Sequence, residues 1–389
     1  MSVITKKIKN VLNDMDKPLL FVTVIFFIFG LLNIVTASSR EAISLDVPLY
    51  YYFYKQSQML LIGLVATIFV LRIDTKKYSK YALFGFVIIT FILIYLLLSG
   101  NENRGAKNWI DLFGFTFQPS EFAKPIIIVC LALLFENNYK KLRNNKISHY
   151  DIIGTILVIG CIIPAIIFLQ KDFGTMFIIM SIFGIMFISS PISRIEKLKT
   201  IGILSLVIIF AGIIMFGVKG YILSDAQLER FNFFNPCSDY EHGGYQTCNG
   251  FIAINDGGLL GLGIGKSKQK YSYIPEPHTD SVFAIISEEY GLLKVIPIFA
   301  VYIFILYRIL NISSTAGTIR GRYICLGVAT YIFMHILVNL GGLFGVMPLT
   351  GVPLPFLSYG GTFTVSLICC LALVQRVHIE TRNQRISIK

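Results

Sequence analysis

The chain has 389 residues, 55% hydrophobic and 14% charged, with a formal net charge of +12. A water-soluble domain would carry about 25% charged residues, and the mean hydropathy here is +0.70, so disorder, secretion and a collagen-like fibre are excluded. The excess of base follows membrane topology and attraction to anionic headgroups, and no nucleic-acid partner is read from it.

A hydrocarbon core about 30 Å thick is crossed by roughly 20 helical residues. Apolar runs of that order predict an all-α integral membrane protein: a ten-span helical bundle, residues 1–389, folding as one domain. The first run, 18–37, follows Lys17 at full span length and is therefore no cleavable signal peptide. Runs 57–71, which is short, and 81–99 come next. Before the fourth run, Arg104 and Lys107 flank the lone tryptophan, Trp109. An Arg fork suits phosphate bidentately; an ordinary interfacial anchor is the competing reading.

The fourth run, 119–135, opens Gln118-Pro119-Ser120-Glu121-Phe122-Ala123-Lys124. Pro119 fits a first helical turn, and Glu121 and Lys124, three apart, share a face, either as a mutual ion pair or as functional groups. Runs 151–169 and 173–189 meet at Lys171-Asp172-Phe173-Gly174-Thr175, where Asp172 suits a helix N-cap as well as a functional role. Run 200–218 leads into the one long non-membrane segment, 219–279.

Within that segment the glycine run to Gly265-Lys266-Ser267 superficially suggests a phosphate loop, but Leu260 stands where such a loop needs Gly. Tight turns and helix contact are the better use of these glycines. Cys237 and Cys248 lie in the same loop, where they either pair or remain two thiols. The other five cysteines lie in spans, and no His/Cys spacing resembles a zinc site.

Pro275-Glu276-Pro277-His278-Thr279-Asp280 enters the eighth run, 281–307, which is long enough to tilt or protrude. Glu288 and Glu289 within it cannot both face one cavity, so one is assigned to packing or capping and the other to a polar path. Between runs 323–344 and 356–376 the stretch Gly341 to Gly361 must interrupt helix. Irregular backbone at that depth survives only inside protein or along a wet cavity.

Most of the 34 Lys and Arg fall, as do Lys6, Lys76, Lys140, Lys197, Arg320 and Arg382, in segments on the N-terminal side of the membrane. Cationic loops resist translocation, so both termini are expected in the cytoplasm and segment 219–279 outside. Ionisable groups at membrane depth cost a few kcal/mol and are functional candidates by default.

Five stretches in order, RGAKNWI, QPSEFAK, KDFGT, PEPHTD with SEEYG, and PLTGVPLPFLSYGG, resemble the SEDS family of FtsW, RodA and SpoVE type proteins over nearly the whole chain. The resemblance, closer to division-type members, implies a peptidoglycan glycosyltransferase. Such enzymes polymerise lipid II at the outer leaflet of the bacterial cytoplasmic membrane and work with a class B penicillin-binding protein. It implies Asp280 as the catalytic residue, Lys124 as its paired lysine, and Glu121 beside them. Arg104, Lys107, Gln118, Ser120, Lys171, Asp172, His278 and Ser358 are the expected substrate-binding set. Three departures stand out: Lys171 where the family usually has Pro, Ser281 where an aromatic is common, and Tyr290 for a usual Leu.

The chemistry can be stated apart from the family. A sugar with a pyrophosphate leaving group needs a base for the acceptor hydroxyl and cations for the departing phosphates. Asp280 is the best base; Arg104, Lys124, Lys107 and Lys171 are the cations. A divalent cation such as Mg2+ could share the phosphate charge, although no cage is visible. A transporter or flippase would also want intramembrane charge and broken helices, but here the ionisable groups gather at the outer ends. A non-catalytic scaffold for the penicillin-binding partner is the third reading.

Overall fold

The apolar runs fold as helices whose ends are set by local chemistry. The computed structural model describes residues 12–100, 107–112, 115–143, 150–219, 235–238 and 244–388. Helix α1 (Lys17–Ala37) starts where the Asp16 side chain accepts from Leu19 N, with Pro in the first turn. It is followed by α2 (Ser39–Ser44), α3 (Tyr51–Arg72) and α4 (Ser79–Ser99). A two-stranded hairpin, β1 (Ile110–Leu112) and β2 (Phe115–Phe117), pairs Ile110 with Phe117 and delivers the chain to α5 (Pro119–Asn137). Then come α6 (Tyr139–Leu142), α7 (Tyr150–Leu169), α8 (Phe173–Ser189), α9 (Arg194–Lys219), α10 (Tyr245–Gly257) and α11 (Gln269–Ser272). The chain ends with α12 (Val282–Tyr290), α13 (Leu292–Thr315), α14 (Ile319–Leu343) and α15 (Gly361–Ile388).

Among the described residues seven helices are long and apolar enough to cross a membrane, which makes this a multi-pass membrane protein; α8, with 17 residues, is shorter. Helices α5 and α9 lie where the fourth and seventh runs were expected, and the second run lengthens to the 22 residues of α3. The most apolar windows of α14 and α15 are 72% and 83% buried, against 17% for α3. The bundle is therefore built around α14 and α15, with α5, α8 and α13 packed on α14.

Two features depart from a plain bundle. Pro125 lies inside α5, and a proline has no N–H to offer the carbonyl four residues back. That carbonyl, on Glu121, is taken instead by Ser366 Oγ of α15 at 2.8 Å. The second feature corrects the expectation of one long eighth span: it breaks at Gly291, whose φ of +78° belongs to the left-handed region. A Cβ there would stand 2.2 Å from Gly261 N. The glycine run of the loop crosses at this point, with Leu262 N donating to Glu288 O (2.9 Å) and Leu292 N to Gly258 O (2.9 Å). Close backbone approach is thus what those glycines permit.

Both carboxylates of the SEEYG stretch serve this crossing, so neither lines the polar path expected of one of them. Glu288 accepts from Lys268 N at 2.7 Å and from Ser267 Oγ, while Glu289 pairs with the buried Lys270 at 2.8 Å. In the same loop Cys237 and Cys248 form a disulfide.

Candidate active site

The starts of α5, α8 and α12 and the 344–360 connection converge on α14. Asp172 caps α8, its Oδ1 accepting from Thr175 N at 3.1 Å. Its Oδ2 accepts from Asn108 Nδ2 at 2.7 Å and Gln118 Nε2 at 3.1 Å. Cap and polar junction are therefore one residue. Lys171 before it is exposed, with φ +66°. A proline, locked near −65°, cannot take that conformation, so the Lys171 departure from the family pattern has a structural consequence in the shape of this turn. Gly174 follows, and a Cβ on it would lie 2.9 Å from Thr350 Cβ, which seats the turn against the 344–360 connection.

Lys124 is fully buried. It donates to Glu121 Oε1 at 2.6 Å and contacts His335 Nε2 at 3.0 Å, with the Tyr331 ring centroid 5.5 Å away. His335 Nδ1 lies 3.2 Å from Pro353 O. A carbonyl only accepts, so Nδ1 carries the hydrogen and Nε2 is left as acceptor for the ammonium. One helical turn on, Asn339 Nδ2 donates to both Asp280 O (2.7 Å) and Val352 O (2.8 Å).

Asp280 is half-buried at the entry to α12. Its Oδ1 accepts from Gln246 Nε2 at 3.1 Å, and Thr279 Oγ1 and Ser281 Oγ lie 3.3 and 3.4 Å away. Oδ2 is turned toward Gly351, where a Cβ would come within 3.9 Å. The pairing of Lys124 with Asp280 implied by the resemblance is not formed in this conformation: the ion pairs within 4.0 Å give Lys124 to Glu121.

The remaining expected residues sit around this centre. Lys107 is held through its backbone N to Gln170 O (3.3 Å), and Ser120 is buried at the start of α5. His278 is buried with its ring centroid 4.4 Å from that of Tyr52 and 5.4 Å from that of Tyr359. The Ser358 hydroxyl is engaged by Leu354 N at 2.8 Å and shapes the connection. Arg104 lies outside the described residues. His335, Asn339 and Gln246 were not singled out from the sequence. The spacing of His335 and Asn339, i and i+4 in an apolar run, was the available signal.

The family model described as Cell cycle protein, of FtsW, RodA and SpoVE, matches residues 17–383. The chain belongs to this family. Among its relatives in the family is the probable peptidoglycan glycosyltransferase FtsW of Haemophilus influenzae, 30% identical over 96% of this chain and 92% of that protein. The stage V sporulation protein E of Bacillus subtilis is 28% identical over 94% and 98%. The fold is also that of solved structures. A peptidoglycan synthase complex that coordinates polymerization and crosslinking contains a chain similar at TM-score 0.72 and 23% identity, covering 94% of this chain and 97% of that one. The rod shape determining protein RodA of Thermus thermophilus reaches TM-score 0.66 at 22% identity, covering 94% and 96%.

Proposed function

We propose that this chain is a peptidoglycan glycosyltransferase that polymerises lipid II at the outer face of the cytoplasmic membrane, in septal or cell-shape wall synthesis. The observation that carries the reading is the half-buried Asp280 carboxylate, anchored through Oδ1 and through its own backbone carbonyl, beside a dense polar junction at the start of α5 and α8. Asp280 takes the proton of the acceptor sugar hydroxyl as that oxygen attacks the anomeric carbon of the donor. The bond from that carbon to the pyrophosphate oxygen breaks, and displacement at an α-linked donor gives a β-linked glycan with inversion.

Lys107, Lys171 and Arg104 are the proposed partners of the departing pyrophosphate, and Gln118, Ser120, Asp172, His278 and Ser358 complete the proposed substrate-binding set. Lys124 and Glu121 are the proposed catalytic companions of Asp280, and their pair, enclosed with His335 and Tyr331, also sets the position of α5 against α14. A divalent cation is proposed only as a companion of the substrate's pyrophosphate, since no three His, Cys, Asp or Glu side chains converge among the described residues.

The proposed partner is a class B penicillin-binding protein, which would cross-link the product. Both termini are read as cytoplasmic, supported by the charge distribution. The test is polymerisation of labelled lipid II by full-length protein in vesicles with that partner. Asp280→Asn should abolish polymer. Undiminished polymer would mark the bundle as a scaffold, and lipid translocation without polymer from the unaltered protein would mark it as a flippase.

A further inference from the structure

We propose that Gln246 is a positioning residue for Asp280, and that the Cys237–Cys248 disulfide fixes the helix end that carries it. The inference rests on the reading of Asp280 as the base.

Gln246 reaches the acid from another element, the first turn of α10. An ionised carboxylate only accepts, so the amide nitrogen of Gln246 must face it. That nitrogen has two hydrogens, and the geometry gives both a partner: Asp280 Oδ1 at 3.1 Å and Ser281 Oγ at 2.9 Å. With its lone pair so engaged, Ser281 can direct its own hydrogen to Oδ1 at 3.4 Å. Thr279 Oγ1 has its single hydrogen directed to Glu276 O at 2.8 Å, so its 3.3 Å approach to Oδ1 is a weaker support. Gln246 and Ser281 thus brace one oxygen of the carboxylate and fix its rotation. A Phe or Trp at position 281 would have no hydroxyl to offer this arrangement.

The brace is only as rigid as the end of α10. The helix is fixed further along, where Gly257 lies so near Ser287 O that a Cβ would stand 2.3 Å away, and where Gly250 faces Leu343 at 2.7 Å by the same measure. Helix ends are in general the first parts of a helix to open, and Gln246 lies in the first turn of α10. Cys248, buried and two residues beyond Gln246, is bonded to Cys237 there. The covalent link sits where fraying would release the amide from Asp280.

The test uses full-length protein in vesicles with labelled lipid II. Gln246→Met keeps the side-chain length and loses both donors. Expected is a fall of about tenfold in kcat, with KM within about twofold and an unchanged thermal midpoint. Gln246→Glu, which keeps the shape but brings a like charge to Oδ1, is expected to fall further. Removing the disulfide, by Cys237→Ser with Cys248→Ser or by reductant added to the folded protein, should lower kcat in the parent but add nothing in Gln246→Met. Parental kcat in Gln246→Met overturns the positioning role. An equal further loss on removing the disulfide in that background overturns the coupling. Polymer from Asp280→Asn would instead overturn the underlying reading, whatever Gln246 does.

Discussion

Lys124 holds its charge out of reach of water, and what makes this tolerable is the group it faces. Glu121 Oε1 at 2.6 Å neutralises it and His335 Nε2 takes a second ammonium hydrogen. Breaking one side of such a pair strands the other charge, at a cost of about 3–5 kcal/mol, whereas replacing both with neutral groups of similar volume is nearly free. Lys124→Met should therefore lower the thermal midpoint in detergent steeply, and Lys124→Met with Glu121→Gln should recover most of it. A single variant as stable as the parent would contradict the buried pair. These two residues were legible because charge offends an apolar run. His335, Asn339 and Gln246 are neutral and offend nothing, so the contacts that reach Lys124 and Asp280 from α14 and α10 were the ones hidden. The pair of Lys124 with Glu121, three apart on one helix, was one of the two readings the sequence offered, whereas the contact with His335 was not legible, because spacing within one helix gives no distance to another.

At the scale of elements, the break between α12 and α13 depends on a glycine in a strained φ with backbone against it. Gly291→Ala should cost about 2 kcal/mol or more, because both the positive φ and the 2.2 Å approach to Gly261 N must be relieved. Gly258, at φ +49° with nothing within 4 Å of its would-be Cβ, supplies the control. Gly258→Ala should cost only about 1 kcal/mol of backbone strain. Thermal unfolding of the two variants side by side measures the difference, and equal losses would mean the crossing is not tightly packed. One Gly inside a long apolar run reads as a tolerated helix residue. The reason for it is a loop glycine thirty positions upstream, which no local pattern shows. The cap at Asp172 and the helix start at Pro119, by contrast, depend on neighbours in sequence and could be anticipated.

Across the whole molecule, the end of the bundle opposite Asp280 is laced by ion pairs. Arg320 pairs with Glu136 of α5 and donates to Thr75 Oγ1 at 2.6 Å, and Thr75 N donates to Glu380 of α15 at 2.7 Å. Arg308 pairs with Asp16, and Arg376 with Asp74 and Glu380. The Arg320 side chain is only 11% exposed, so Arg320→Ala should destabilise the bundle by about 3 kcal/mol. Size-exclusion melting in detergent reads this out, and a parental midpoint would show that the lacing contributes nothing. The excess of Lys and Arg gave the side on which such residues gather. Their partners, drawn from α5, α15, the cap of α1 and the turn after α3, follow only from the packing of α14 and α15 at the centre.

The two carbonyls gripped by Asn339 come from either side of it in the chain, Asp280 before and Val352 after. During translation the acid is therefore made some seventy residues ahead of the last part of its own clamp. A nascent chain halted before Val352 would expose every motif up to α14, yet would leave Asp280 without its finished setting. Ribosomes that stall there should yield inserted but inactive protein, so the proposed catalytic centre is one of the last things this polypeptide completes.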